Sequence, residues 1–143
     1  MQHTKKLVLV IAVILISAVK LSAQNIHFID GPVITDNGTT LTFCAKLVGL
    51  GNNKLVTVVL STVATITTQC TNPAGNIAPG QTKTATISKS GEFMSDKNGT
   101  VTFCLTTETP SPGKCPNGQW SGAVTDCSFA NSYVSVNGKK VIN

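Results

Sequence analysis

The sequence contains no arginine, and only 12% of its 143 residues are charged and 5% aromatic. Arginine is the side chain that best pairs with phosphate and reads guanine, so its absence argues against a nucleic-acid-binding protein. The low charge argues against a disordered tail, and the composition is not that of a coiled coil. The length fits a single domain.

Groups for catalysis or metal binding are scarce as well. His27 is the one histidine after residue 23, whereas a Ser-His-Asp or Cys-His arrangement requires a well-placed histidine. A glycosidase needs two carboxylates across one cleft, and the sequence indicates no second carboxylate as a partner for Asp126. The cysteines form no C-x-x-C pair, which makes a zinc site improbable. We therefore predict a protein that is not an enzyme and has no metal or cofactor.

Residues 1–23 have the pattern of a secretory signal peptide. Lys5 and Lys6 precede an apolar run from Leu7 to Val19, and Ala23 is a small residue at the expected cleavage position. The run is shorter than the roughly 20 residues of a membrane span. We predict cleavage after residue 23 and a secreted protein, extracellular or periplasmic, with no membrane span in the mature chain. An uncleaved N-terminal anchor is the alternative.

Loss of this segment removes three of the eleven lysines and lowers the formal net charge from +5 to +2. The basic balance therefore belongs largely to the targeting segment. It indicates nothing about acidic partners.

The remainder, residues 24–143, predicts one all-β domain. Threonine and valine dominate, and Gly, Asn and Pro separate the runs at short intervals. We predict a single antiparallel β-sandwich of about seven strands, immunoglobulin- or fibronectin-III-like. The strands are expected near 25–30, 39–48, 55–68, 82–89, 99–107, 119–127 and 131–137.

Alternation within these runs assigns one apolar face to each strand, as is typical of an antiparallel sandwich. The clearest set is Leu41, Phe43, Ala45 and Leu47. The turns Asp36-Asn37-Gly38 and Asp96-Lys97-Asn98-Gly99 introduce two similar strands. Their carboxylates suit Asx-turns better than a calcium loop.

Five cysteines follow the signal peptide: Cys44, Cys70, Cys104, Cys115 and Cys127. Export favours disulfides, and an odd number leaves a free thiol or a bond between chains. Cys44 and Cys104 share an outward parity and would bridge if their strands are neighbours. Cys70 and Cys115 could form a disulfide that joins loops at one end of the sandwich. Cys127 is the candidate free thiol, and a disulfide-linked homodimer is one option, since spacing alone leaves the connectivity open.

Two loops carry candidate ligand-binding residues. In Cys70–Gln81, the amides of Asn72, Asn76 and Gln81 could bind a sugar or peptide, or could cap their own loop, which is the favoured interpretation. The segment 110–120 contains Asn117 and Trp120. Trp120 could fill the core, as a lone tryptophan often does in sandwiches, or could be an exposed anchor; the core interpretation is favoured.

The C-T-N-P-x-G-N-x-x-P-G-Q loop at 70–81 and the C-P-N-x-x-W segment at 115–120 resemble those of a group of small secreted bacterial proteins with no assigned function. The resemblance covers about residues 45–136. It implies a secreted β-sandwich with a Cys70–Cys115 bridge. Cys44, Cys104 and Cys127 depart from the group's pattern.

Together these features favour a secreted non-enzymatic binding module whose partner is an unknown extracellular protein or glycan. A structural or self-assembling cell-surface protein, built through edge strands or the odd cysteine, is the alternative. A glycan-binding module that uses Trp120 is a weaker one.

Overall fold

The computed structural model describes residues 25–141, so the predicted signal peptide lies outside the described residues. Within that range the chain forms eight strands and no helix. The strands are β1 (His27–Asp36), β2 (Leu41–Val48), β3 (Leu55–Thr71), β4 (Ile77–Pro79), β5 (Lys83–Met94), β6 (Val101–Thr106), β7 (Ser121–Val136) and β8 (Lys139–Lys140).

The strands form two antiparallel sheets. Sheet A has the order β1-β2-β6. In sheet B, the central strand β3 pairs with β4 and β5 along one edge and with β7 along the other, and β8 extends the sheet beyond β7. The predicted all-β sandwich architecture is confirmed.

Alternating side chains from the inner faces of both sheets form the core, as the sequence pattern predicts. The predicted inward set of β2 is buried at every position, from Leu41 to Leu47, while its neighbours are half-buried. The rings of Phe43 and Phe103 stack across β2 and β6 with centroids 6.3 Å apart. Sheet B contributes, among others, Val58, Leu60, Val134 and Val136.

The predicted break between strands 119–127 and 131–137 is wrong, because β7 runs unbroken through it. Asn131 adopts a positive φ of 53° beside a register shift against β3. Inside the sandwich, the buried Thr62 hydroxyl lies 2.8 Å from the Ser132 hydroxyl. The Asn-Ser pair thus forms a β-bulge instead of a turn.

The ends of the sheets also differ from the prediction. β1 extends past residue 30 to Asp36, with register shifts on either side of Asp30. β8 follows a two-residue turn in which Asn137 and Gly138 have φ values of 48° and 83°. Asn-Gly is the preferred sequence for such a hairpin turn. The Asn137-Gly138 pair was therefore a sequence signal for β8 that the prediction did not use.

Both predicted disulfides are present. Cys44 and Cys104 lie directly opposite each other on β2 and β6, with their Cα atoms 4.1 Å apart. Cys70 bonds to Cys115. Cys127 is the free cysteine, so both pairings and the odd thiol are confirmed.

The sandwich is closed along one side and open along the other. On one side β5 and β6 come together, where Lys89 Nζ lies 2.9 Å from Glu108 Oε1. There a Cβ on Gly91 would meet Leu105 Cδ2 at 2.9 Å. On the other side, β1 faces β7 and β8 across an open groove. The described part of the chain has no helix long and apolar enough to cross a membrane.

Candidate functional site

The two sequence motifs meet at one end of the sandwich. The Cys70–Cys115 disulfide ties the end of β3 to the segment between β6 and β7. The Gly113 amide donates to Thr68 Oγ1 at 2.7 Å, and the Gln81 amide donates to the Lys114 carbonyl at 2.9 Å. The disulfide and these bonds hold the two loops against each other.

Asn72 caps its own loop. Its side-chain Oδ1 accepts a hydrogen bond from the Asn76 amide at 2.7 Å, and its carbonyl accepts one from the Gly75 amide at 2.9 Å. The favoured capping interpretation therefore holds for Asn72. The Asn76 and Gln81 side chains are exposed.

Asn117 and Trp120 form a second self-contained turn. Asn117 Oδ1 accepts from the Gln119 amide at 3.1 Å, and the Asn117 carbonyl accepts from the Trp120 amide at 3.2 Å. Trp120 is half-buried and belongs to neither buried apolar cluster. The expectation that it fills the core is wrong, because the aliphatic and phenylalanine side chains of the two sheets already form the core.

Between the two loops lies a small cleft of about 340 Å³, here called the loop cleft. It is lined by Pro79, Gly80, Gln81, Lys114, Cys115 and Pro116. Of the five predicted ligand-binding residues, only Gln81 lines it. The predicted site is therefore divided between two turns and this cleft.

A larger groove lies on the open side of the sandwich, with a volume of about 520 Å³. We call it the edge groove. Its apolar lining comes from both sheets and consists of Phe28, Pro32, Ile34, Phe43, Val134 and Val141. Asn131, Ser132, Tyr133 and Lys140 complete it. Its volume lies within the range of about 300–1,000 Å³ typical of ligand sites.

Strand register shows which side chains face the groove. Phe28 pairs with the core residue Leu47, and Ile34 pairs with Phe43, so both lie on the inner face of sheet A. Ile34 nevertheless remains 48% exposed because, among residues 25–141, no strand lies beside β1 on that side. The open interior of a sandwich therefore presents apolar side chains to solvent.

The charge beside the groove lies on the other face of sheet B. Lys140 pairs with Ser135, and Tyr133 lies two residues before Ser135 on the same face. The Lys140 ammonium sits 4.4 Å from the centre of the Tyr133 ring, a cation–π contact. The groove lining is thus mainly apolar, and Lys140, whose ammonium is held over the Tyr133 ring, is the cationic residue that lines it.

The edge groove was missed by sequence reasoning. Phe28 and Ile34 have the alternation of ordinary inward-facing residues, and nothing in the sequence states that β1 is an edge strand. The Gly31-Pro32 pair is the one available signal, because proline within a sheet is confined to edges and bulges.

Cys127 is buried, with 1% of its surface exposed. Its amide donates to the Gly38 carbonyl at 2.6 Å. This bond holds the β1–β2 turn against β7. Burial raises the pKa of the thiol, and the carboxylates of Asp126 and Asp36 raise it further. Such a thiol is a poor nucleophile.

No group of three or more His, Cys, Asp or Glu residues suited to a metal ion occurs within residues 25–141. The His27 ring nitrogen Nδ1 lies 2.8 Å from the Asn25 carbonyl oxygen, two residues away. In comparisons with known proteins, the chain matches no protein family, no curated protein and no solved structure.

Proposed function

We propose that the protein is a secreted, non-enzymatic binding module whose edge groove accepts apolar side chains of a partner protein. The observation that carries this proposal is the half-exposed Ile34 on the core-facing side of sheet A. Covering such a side chain completely is worth about 1.5–3 kcal/mol relative to full exposure. A partner that covers it would gain part of that energy.

A protein partner fits this groove better than a glycan. Glycan sites combine exposed aromatic rings with free amides, whereas Trp120 is half-buried and the side-chain oxygens of Asn72 and Asn117 already accept bonds within their own turns. The groove interior offers apolar carbon from Phe28, Ile34 and Val134 instead.

Export supports the same proposal. Two disulfides suit an oxidising compartment, as does the signal-peptide pattern at 1–23. An immunoglobulin-like connectivity for the sandwich is part of the proposal. Folds of that kind commonly present binding surfaces outside cells.

A displayed library of short peptides, selected against the folded protein, tests the proposal. We expect selected peptides rich in apolar residues, with Ile34→Ser weakening their binding by about ten-fold. Val33→Ser is the matched control, because Val33 is 64% exposed but pairs with Cys44 on the outer face. Equal losses for the two variants, or no selected peptide, would contradict the proposal.

Self-assembly is the second candidate, and the outer edge of β7 favours it. Within the described chain, β8 pairs only with Ser135 and Val136, and the Cys127 amide bonds to Gly38. The Val141 amide also donates to the Val134 carbonyl at 2.9 Å, but no other strand of residues 25–141 lies along this edge, which leaves its remainder open to another strand. A mass that grows with concentration in static light scattering would support this candidate; a constant monomer mass would reject it. The burial of Cys127 disfavours a disulfide-linked homodimer.

A further inference from the structure

The sequence contains four Asn-Gly pairs, at 37–38, 98–99, 117–118 and 137–138. Asn-Gly is the pair most prone to deamidation, because glycine has no Cβ to hinder its own backbone nitrogen. That nitrogen attacks the asparagine Cγ and forms a new C–N bond; the bond to the side-chain nitrogen breaks, and ammonia leaves with the proton. Water then opens the cyclic imide to aspartate or isoaspartate. We propose that Asn117 is the self-modification site of the folded protein.

At the first two pairs the attacking nitrogen is engaged. The Gly38 amide donates to Asp36 Oδ1 at 2.8 Å, and Asn37 Nδ2 donates to the hydroxyls of Thr40 and Thr42. The Gly99 amide donates to the Asp96 carbonyl at 3.1 Å, and Gly99 is buried. Attack at either pair first requires these bonds to break.

At the last pair the asparagine is anchored to β3. The Asn137 amide donates to the Thr57 carbonyl at 2.9 Å, and Asn137 Oδ1 accepts from the Thr57 amide at 3.0 Å. Rotation of the carboxamide toward Gly138 would break a contact that attaches the β7–β8 hairpin to the sheet.

Asn117 lacks comparable protection. It is exposed, and its side chain makes one local bond, accepting from the Gln119 amide at 3.1 Å. Among the described residues the Gly118 amide has no hydrogen-bond partner, and a Cβ at that position would meet nothing within 4 Å. The nitrogen and the carboxamide therefore have room to react.

The modification would change the loop that contains Trp120. It adds a negative charge three residues after Lys114 in the sequence. Isoaspartate also lengthens the main chain by one carbon, which disrupts the bond from the Trp120 amide to the Asn117 carbonyl. Because Trp120 is the only tryptophan, its fluorescence reports the change.

Peptide mapping by mass spectrometry, after incubation of the folded protein in mildly alkaline buffer, tests the proposal. We expect Asn117 to convert at least roughly five-fold faster than the other three, the factor equivalent to one retained hydrogen bond. After reduction and denaturation, all four rates should converge. Equal rates in the folded protein, or faster conversion elsewhere, would overturn the proposal.

Two variants test whether the free space at Gly118 and the hydrogen bond of the Gly38 amide determine the deamidation rates. Gly118→Ala fits the open space at this position and should slow conversion and abolish the associated fluorescence change. Asp36→Ala frees the Gly38 amide and should speed conversion at Asn37 several-fold. If Gly118→Ala leaves the Asn117 rate unchanged, or if Asp36→Ala leaves the Asn37 rate unchanged, the protection argument is wrong.

Discussion

Thr62 is the buried polar side chain on which the β7 bulge depends. Its hydroxyl lies 2.8 Å from the Ser132 hydroxyl and 3.3 Å from the Ala130 carbonyl oxygen. Thr62→Val should lower the free energy of unfolding by about 1–2 kcal/mol, because Ser132 and the carbonyl lose their partner. Chemical denaturation measures this. Thr65→Val, at an exposed position on the same strand, should change stability by less than about 0.5 kcal/mol.

The reactivity of Cys127 should show the effect of burial on its thiol. Because burial raises the pKa, the alkylation rate of the folded protein should keep rising beyond pH 9.0, the ordinary thiol pKa, whereas the unfolded chain levels off near it. Native alkylation should also be far slower than alkylation in urea. By linkage, the protonated thiol favours folding below the ordinary pKa, and this contribution is lost as pH rises through the raised one. Fast native alkylation with a plateau below pH 9.0 would contradict this assignment.

Among the loops, the 107–120 segment depends on the absence of a side chain at Gly113. A Cβ there would collide with the Gln81 carbonyl oxygen. We expect Gly113→Ala to destabilise the protein by about 1–3 kcal/mol, the usual cost of overpacking. Gly118→Ala, in the same segment but in open space, is the control and should melt within a degree or two of the native protein. A similar melting temperature for Gly113→Ala would show that the loop is less tightly packed than the structure indicates.

At the level of strands, the sequence predicted the features that depend on the local alternation of apolar and polar residues. The inward faces of β2, β3 and β6 follow the pattern of apolar side chains at every second residue. Strand parity allowed the Cys44–Cys104 bridge without fixing it, and the family resemblance implied the Cys70–Cys115 bridge. The continuity of β7 could not be predicted, because it depends on the 17-residue length of β3.

The candidate site was harder to predict than the fold. Asn72 and Asn117 were correctly placed in turns, but side-chain amides look the same in a sequence whether they bind a ligand or cap a loop. The edge groove depends on which strands lack neighbours. That is a property of sheet order, which is set by contacts between residues far apart in the chain.

For the molecule as a whole, the two disulfides should contribute similarly to stability. They close spans of 60 and 45 residues, and the cost of loop closure varies only with the logarithm of length. We expect the double alanine variants of Cys44/Cys104 and of Cys70/Cys115 each to lose about 2–4 kcal/mol, and to differ by a few tenths. Urea titration of the two variants is the measurement. A difference of several kcal/mol would show that one bridge acts through the folded state.

The placement of β3 at the centre of sheet B governs when the protein can fold. Its partner β7 ends at Val136, and Val134, Val136 and Val141 complete the core. A nascent chain that has emerged only as far as residue 120 has β3 and β5 but lacks one edge of the central strand. Folding of this kind, dominated by distant contacts, is slow. The domain therefore cannot complete its structure until residues 121–141 have been synthesised, and until then the apolar residues of β3 need protection from other unfolded chains.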